Sequence, residues 1–127
     1  MKAIDPSVRV LLESSYVSFN ARAIDAVLRL MREDVAWPNG MEGGYVHGHA
    51  AVREYWTRQW QMVDPRVEPI RFSLEPDGGV AVDVHQVVRD LKGQLLLDQT
   101  VRHVYYIEQG AIRTMRIENA RATSENA

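Results

Sequence analysis

The chain has 127 residues, 46% apolar and 25% charged, which suits one domain able to bury a core of its own. Lys plus Arg number 15 and Asp plus Glu 17, a net charge of −2, so there is neither the basic excess of a nucleic-acid binder nor an acidic tail. Cysteine is absent, which excludes disulfides, thiolate metal sites and a cysteine nucleophile. Met1 to Pro6 carries no apolar stretch of the signal-peptide kind, and no run approaches a membrane span, so a cytoplasmic protein is expected.

Helical patterning comes first. Asp5 is placed to cap a helix whose first position is Pro6, where a missing N–H costs nothing. Val8, Leu11, Leu12, Ser15, Tyr16 and Phe19 then recur at helical spacing. After a break at Asn20-Ala21-Arg22, the spacing of Ile24, Val27, Leu28 and Met31 predicts a second short helix. Val35-Ala36-Trp37 reads as a short strand before Pro38-Asn39-Gly40. Residues 39–48 hold four of the eight glycines and read as a loop or irregular hairpin. Val52, Tyr55, Trp56, Gln59, Trp60 and Val63 mark a third helix, whose start near Gly48-His49 lacks a good capping side chain.

From Asp64 the period changes to two. Ile70, Phe72 and Leu74 alternate with charged and polar residues up to the turn Pro76-Asp77-Gly78-Gly79. Val80 to Leu91, Leu95 to Ile107 and Ala111 to Glu118 follow as long strands joined by turns too short for crossover helices, so an antiparallel meander is expected. The small polar residues 120–127 read as a frayed tail, and no linker or repeat divides residues 1–127. Helices followed by a curved antiparallel sheet make an α+β pattern. Both parities of the late strands are apolar: Val101, Tyr105 and Ile107 on one, Val104 and Tyr106 on the other. A homodimer through the outer face of the sheet is therefore expected.

The order of these elements resembles a known family. It is carried by Asn20-Ala21-Arg22-Ala23-Ile24-Asp25-Ala26-Val27, Glu33-Asp34-Val35-Ala36-Trp37, Val46-His47-Gly48-His49-Ala50-Ala51-Val52-Arg53-Glu54-Tyr55-Trp56 and Gln109-Gly110-Ala111-Ile112. The chain resembles the nuclear transport factor 2-like superfamily over residues 6–119, and within it the SnoaL-like polyketide cyclase and ketosteroid isomerase branch. The resemblance implies a cone: a curved sheet wrapped around N-terminal helices, with an apolar cavity at its mouth. It also implies an isomerase, cyclase, dehydratase or hydrolase, or a binder without catalysis, because fold does not fix function. Carried over residue by residue, the isomerase's general base falls on Asn39, a carboxamide that takes no proton at neutral pH. Its oxyanion tyrosine falls on Ser15, beside Tyr16. Its buried acid falls near His103, or on Arg102 if a one-residue gap is placed elsewhere.

Two histidines are candidates for acid–base work. His85 and His103 each stand mid-strand on neighbouring strands, and imidazole titrates near neutral pH. Asp83 shares the face of His85 and could orient its ring; Tyr105 shares the face of His103. Alternation fixes who shares a face but leaves open which face looks inward. Trp37, Tyr55, Trp56, Tyr105 and Met115 are expected to line the cavity, with Asn39 or Tyr16 as polar anchor. His47 and His49 form an H-x-H too sparse for a metal site, Glu42 stands in the mouth loop, and Arg116 and Glu118 read as an ion pair across the dimer or as substrate contacts. No Gly-rich phosphate loop or nucleophile elbow occurs. The expectation is acid–base chemistry without cofactor or metal, on a small apolar carbonyl compound or epoxide, with a non-catalytic small-molecule or peptide binder as the alternative.

Overall fold

The computed structural model describes residues 3–122, with side chains through residue 118. Helix α1 (Pro6–Asn20) starts where the Asp5 carboxylate accepts from the Ser7 N–H at 2.8 Å, and Pro6 occupies its first turn. It buries Leu12, Ser15 and Tyr16. Asn20 ends α1 and clamps it to the sheet: its side chain donates to the Val67 carbonyl at 2.7 Å and accepts from the Val67 N–H at 3.0 Å. Helix α2 (Ile24–Leu28) is a single turn. Met31, expected on that helix, instead begins strand β1 (Met31–Pro38), because its backbone is drawn into register with Ile112. Long-range pairing here overrides helical spacing.

Residues 39–48 form the return of a hairpin, with β2 (Tyr45–His47) antiparallel to β1. Gly48 then takes φ 87° and ψ 163°, a backbone conformation that suits glycine, and opens α3 (His49–Trp60) without a capping side chain. His49 compensates by donating from Nε2 to the Met31 carbonyl at 3.0 Å, which pins the helix start to β1. The strands β3 (Val63–Leu74), β4 (Val80–Asp90), β5 (Leu95–Glu108) and β6 (Ala111–Ala122) form the meander. Residues 120–122, expected in a frayed tail, are the end of β6, and Arg121 and Ala122 pair with β5; residues 123–127 lie outside the described residues.

Sheet order is β2-β1-β6-β5-β4-β3. Every pairing is antiparallel except β1 with β6, which is parallel. Two prolines, Pro65 and Pro69, sit in β3, where an edge strand tolerates a missing N–H. Register shifts interrupt β3–β4, β4–β5 and β5–β6, and such bulges bend a sheet. The result is the α+β cone, a curved open sheet with the helices against its concave face. Leu12, Val52, Val82, Val84 and Ile112 are fully buried between helices and sheet. Each such side chain contributes roughly 1.5–3 kcal/mol on burial. No helix among the described residues is long and apolar enough to cross a membrane.

Candidate functional site

A cavity of about 380 Å³ lies between the helices and the concave face. Strand register decides its wall. Val82 pairs with His103 and Val80 with Tyr105, while His103 and Tyr105 pair across the other edge with Ile117 and Met115. Odd positions of β5 from Leu97 to Tyr105, Met115 and Ile117 of β6, and even positions of β4 therefore look inward. Among the described residues lining the cavity, none is Asp, Glu, Lys or Arg.

Three buried polar side chains meet at the cavity wall. The Tyr105 hydroxyl donates to the Tyr16 hydroxyl at 2.8 Å, and Tyr16 lies 2.9 Å from His103 Nδ1. Burial holds the His103 pKa down to about 4, so the imidazole is neutral at neutral pH. The same burial pushes the Tyr16 and Tyr105 hydroxyls upward, the Tyr105 neighbour adding to the shift at Tyr16 and hydrogen bonds offsetting part of it at Tyr105. All three are thus uncharged. With Tyr105 as the donor to Tyr16, the Tyr16 proton goes to Nδ1 and the imidazole proton to Nε2, an atom with no hydrogen-bond partner among the described residues, on a residue that lines the cavity. Tyr16 stacks on the His103 ring at 5.9 Å between centroids, and Tyr105 meets both rings edge-on. Tyr16 was expected to donate to ligand; its hydroxyl is instead spent within the chain, where it holds the ring of His103 in place.

Aromatic rings make the opposite wall. Trp37 meets Trp56 edge-to-face at 5.5 Å, and Trp56 stacks on Trp60 at 5.9 Å. Trp37, Tyr55, Trp56, Tyr105 and Met115 all line the cavity. Burial raises the Tyr55 pKa, partly offset by the Gly40 N–H, which donates to its hydroxyl at 2.9 Å and ties the mouth loop to α3.

Asn39 is corrected: it does not line the cavity. Its side-chain oxygen accepts from the Met41 and Glu42 N–H groups at 3.0 and 2.9 Å, and its amide donates to Glu42 at 3.1 Å, so it builds the turn after β1. Glu42 is held as a carboxylate on the surface, its pKa lowered by the Asn39 hydrogen bond and by Arg58, whose guanidinium is 2.8 Å away. His85 and Asp83 are corrected as well. They occupy odd positions of β4 and lie on the outer face, because the inward parity belongs to the valines. His85 donates from Nε2 to Asp98 at 2.8 Å, and Asp83 is held by Arg71 and Arg102 at 2.9 and 3.2 Å. Asp83 orients no imidazole. On the same outer face, Arg116 pairs with Glu118 at 2.7 Å.

Two polar residues on the strands of the cavity wall escaped the sequence reading. Gln86 and Gln99 face inward as register partners, and Gln99 Nε2 donates to Gln86 Oε1 at 2.8 Å. The signal was present: Gln86 interrupts the apolar parity Val80, Val82, Val84, Val88, and Gln99 shares the parity of Val101 and His103. No cluster of metal-ligating side chains occurs among the described residues. His47 is exposed, and the Nε2 of His49 is spent on Met31.

Comparison with known proteins agrees with this geometry. The family described as SnoaL-like domain matches residues 12–115. The crystal structure of TerC with polyporic acid is similar at 27% identity and a TM-score of 0.76, covering 89% of this chain and 90% of that one. A nuclear transport factor 2-like protein of unknown function from Burkholderia pseudomallei is 24% identical, TM-score 0.77, over 97% of this chain and 95% of its own. A candidate polyketide cyclase from Xanthomonas campestris pv. campestris is 22% identical, TM-score 0.72, over 89% and 90%. The last two likenesses bear on the fold alone. No curated protein matches the chain.

Proposed function

This chain belongs to the SnoaL-like domain family, and from that premise we propose that it takes a small, uncharged carbonyl compound into its cavity and promotes isomerisation or ring closure without a cofactor. The carrying observation is the hydrogen-bond chain that links Tyr105, Tyr16 and His103 Nδ1 in an uncharged cavity; in our reading Tyr105 donates to Tyr16 and Tyr16 to Nδ1, so that Nε2–H faces the ligand as a donor. A neutral imidazole held in this way polarises a carbonyl and stabilises the oxyanion that develops on it, and it need not reorganise to do so. The cavity wall offers no carboxylate base. The favoured reactions are therefore those in which the substrate supplies its own nucleophile. In an intramolecular aldol closure, the enol carbon attacks the carbonyl carbon, and the enol O–H proton passes to the new alkoxide oxygen. His103 donates to that oxygen while its charge builds. TerC, crystallised with polyporic acid, supports a cavity of this fold as a small-molecule site.

The lack of a base equally favours a second reading, a binding module that converts nothing. Deuterium incorporation separates the two. In buffered D2O, a panel of uncharged aryl ketones and hydroxyquinones is incubated with the wild type and with His103→Leu. Uptake at the carbon beside the carbonyl, with solvent deuteroxide as the base and His103 stabilising the enolate oxygen, or cyclised product, is expected with wild type, with a rate lowered about 10²–10³-fold in the variant, the usual effect of losing one oxyanion donor. Binding without exchange or conversion would favour the binding module. No binding of any panel member would overturn both readings.

A further inference from the structure

The geometry points to a second polar subsite nearer the mouth, formed by Gln86 and Gln99, that recognises a donor and an acceptor side by side on the far end of the ligand. This inference rests on the proposal that His103 holds a carbonyl at the deep end. The inner stripe of β4 and β5 is otherwise apolar between the two ends, carpeted by Val84 and Val101. A half-buried amide in such a wall costs free energy unless its polar atoms are satisfied. The pair satisfies itself only once, through the bond from Gln99 Nε2 to Gln86 Oε1. Gln86 Nε2 and Gln99 Oε1 have no other partner among the described residues and stand on residues that line the cavity. Exchanging O and N in both amides reverses the shared bond and swaps the free pair, leaving one donor and one acceptor either way.

Spacing sets the length of the ligand. Gln99 stands four residues before His103 on one face of β5, about 13 Å away at 3.2–3.4 Å per residue. Allowing one hydrogen bond of about 3 Å at each end leaves ligand polar atoms roughly 7–13 Å apart. The aromatic wall of Trp37 and Trp56 suits a flat body between them. The ligand class is thus a fused-ring compound with a carbonyl at one end. At the other end it carries a carboxamide, or a hydroxyl beside a carbonyl.

A matched pair of probes tests this: 2-acetylnaphthalene, with the ketone alone, and 6-acetyl-2-naphthamide, with the ketone and a carboxamide opposite. Binding is read by quenching of tryptophan fluorescence and by calorimetry. Wild type is expected to prefer the naphthamide by tenfold or more. In Gln86→Leu, Gln99→Leu and the double variant, with folding checked by circular dichroism, that preference, taken as the ratio of the two affinities in each variant, collapses toward one. His103→Leu weakens both probes by a similar factor and keeps the preference. Equal wild-type affinities for the two probes, or a preference that survives the double variant, would overturn the subsite. Loss of the preference in the glutamine variants, together with ketone binding that His103→Leu leaves intact, would instead overturn the carbonyl reading and leave the subsite standing. Failure of both probes to bind wild type would count against both.

Discussion

Replacing His103 by Gln should remove a specific slope in the pH dependence of folding stability. Burial lowers the His103 pKa from 6.5 to about 4 in the folded chain. The unfolded chain therefore binds the extra proton first, and stability from this group is complete above pH 6.5. It declines as the pH falls toward 4, below which both states are protonated and the loss levels off. At about 1.4 kcal/mol per pKa unit the full loss is roughly 3 kcal/mol, of which about 2 kcal/mol has gone by pH 5. Exposed carboxylates such as Asp5, Asp25 and Asp77 have pKa values lowered from 3.8 by hydrogen bonds and neighbouring charge, so their own losses fall at lower pH. The interval from pH 6.5 to 5 thus isolates imidazole. Urea unfolding of wild type and His103→Gln, at half-unit steps across that interval, gives the difference; glutamine keeps an acceptor for the Tyr16 hydroxyl. Wild type is expected to lose about 2 kcal/mol more than the variant. An NMR titration that finds His103 protonating near pH 6.5, or equal slopes in the two proteins, would refute the claim that the ring is buried and neutral.

Other consequences are independent of that titration. His85→Gln and Asp83→Asn, on the outer face, should leave binding of any cavity ligand unchanged within twofold, as fluorescence titration would register. Gly48→Ala should cost about 1–3 kcal/mol in thermal or urea unfolding, since its φ and ψ are strained for any residue with a Cβ; the added carbon would also meet the Glu33 carbonyl at 3.4 Å. Association through the outer face of the sheet is a separate proposal. Val104 is already fully buried within one chain, and Tyr106 is engaged by Asp77 and Arg116 at 2.7 Å each. The interface would therefore depend on these polar contacts more than on bare apolar surface. Light scattering should report a dimer for wild type and a monomer for Arg116→Glu; a monomeric wild type would end this proposal.

Much of the fold was legible because its signals are local. Asp5-Pro6, the helical spacing of Leu12 and Tyr16, and the turns at 76–79 and 92–93 each act within a few residues, and each fell where expected, although β4 ends one residue before Leu91. The hairpin nature of residues 39–48 was legible too, although the role of Asn39 was not. An amide that caps its own turn and one that faces a ligand look alike until the backbone N–H groups of Met41 and Glu42 are found pointing at it. Met31 shows where spacing misleads. One turn of helix is cheaply abandoned when a strand such as β6 offers backbone hydrogen bonds.

By itself the sequence determined which residues travel together: His85 with Asp83, His103 with Tyr105, the valines of β4 with Gln86. A pleated strand enforces that partition whatever surrounds it. Which set faces the helices was decided only by tertiary structure, through a register that pairs Val82 with His103 and sends Asp83 outward to Arg102. The chain from Tyr105 to Tyr16 to His103 spans 89 and 87 positions between α1 and β5. No local pattern can encode such a contact, because it exists only once the sheet has curved around the first helix and excluded water from the space between them.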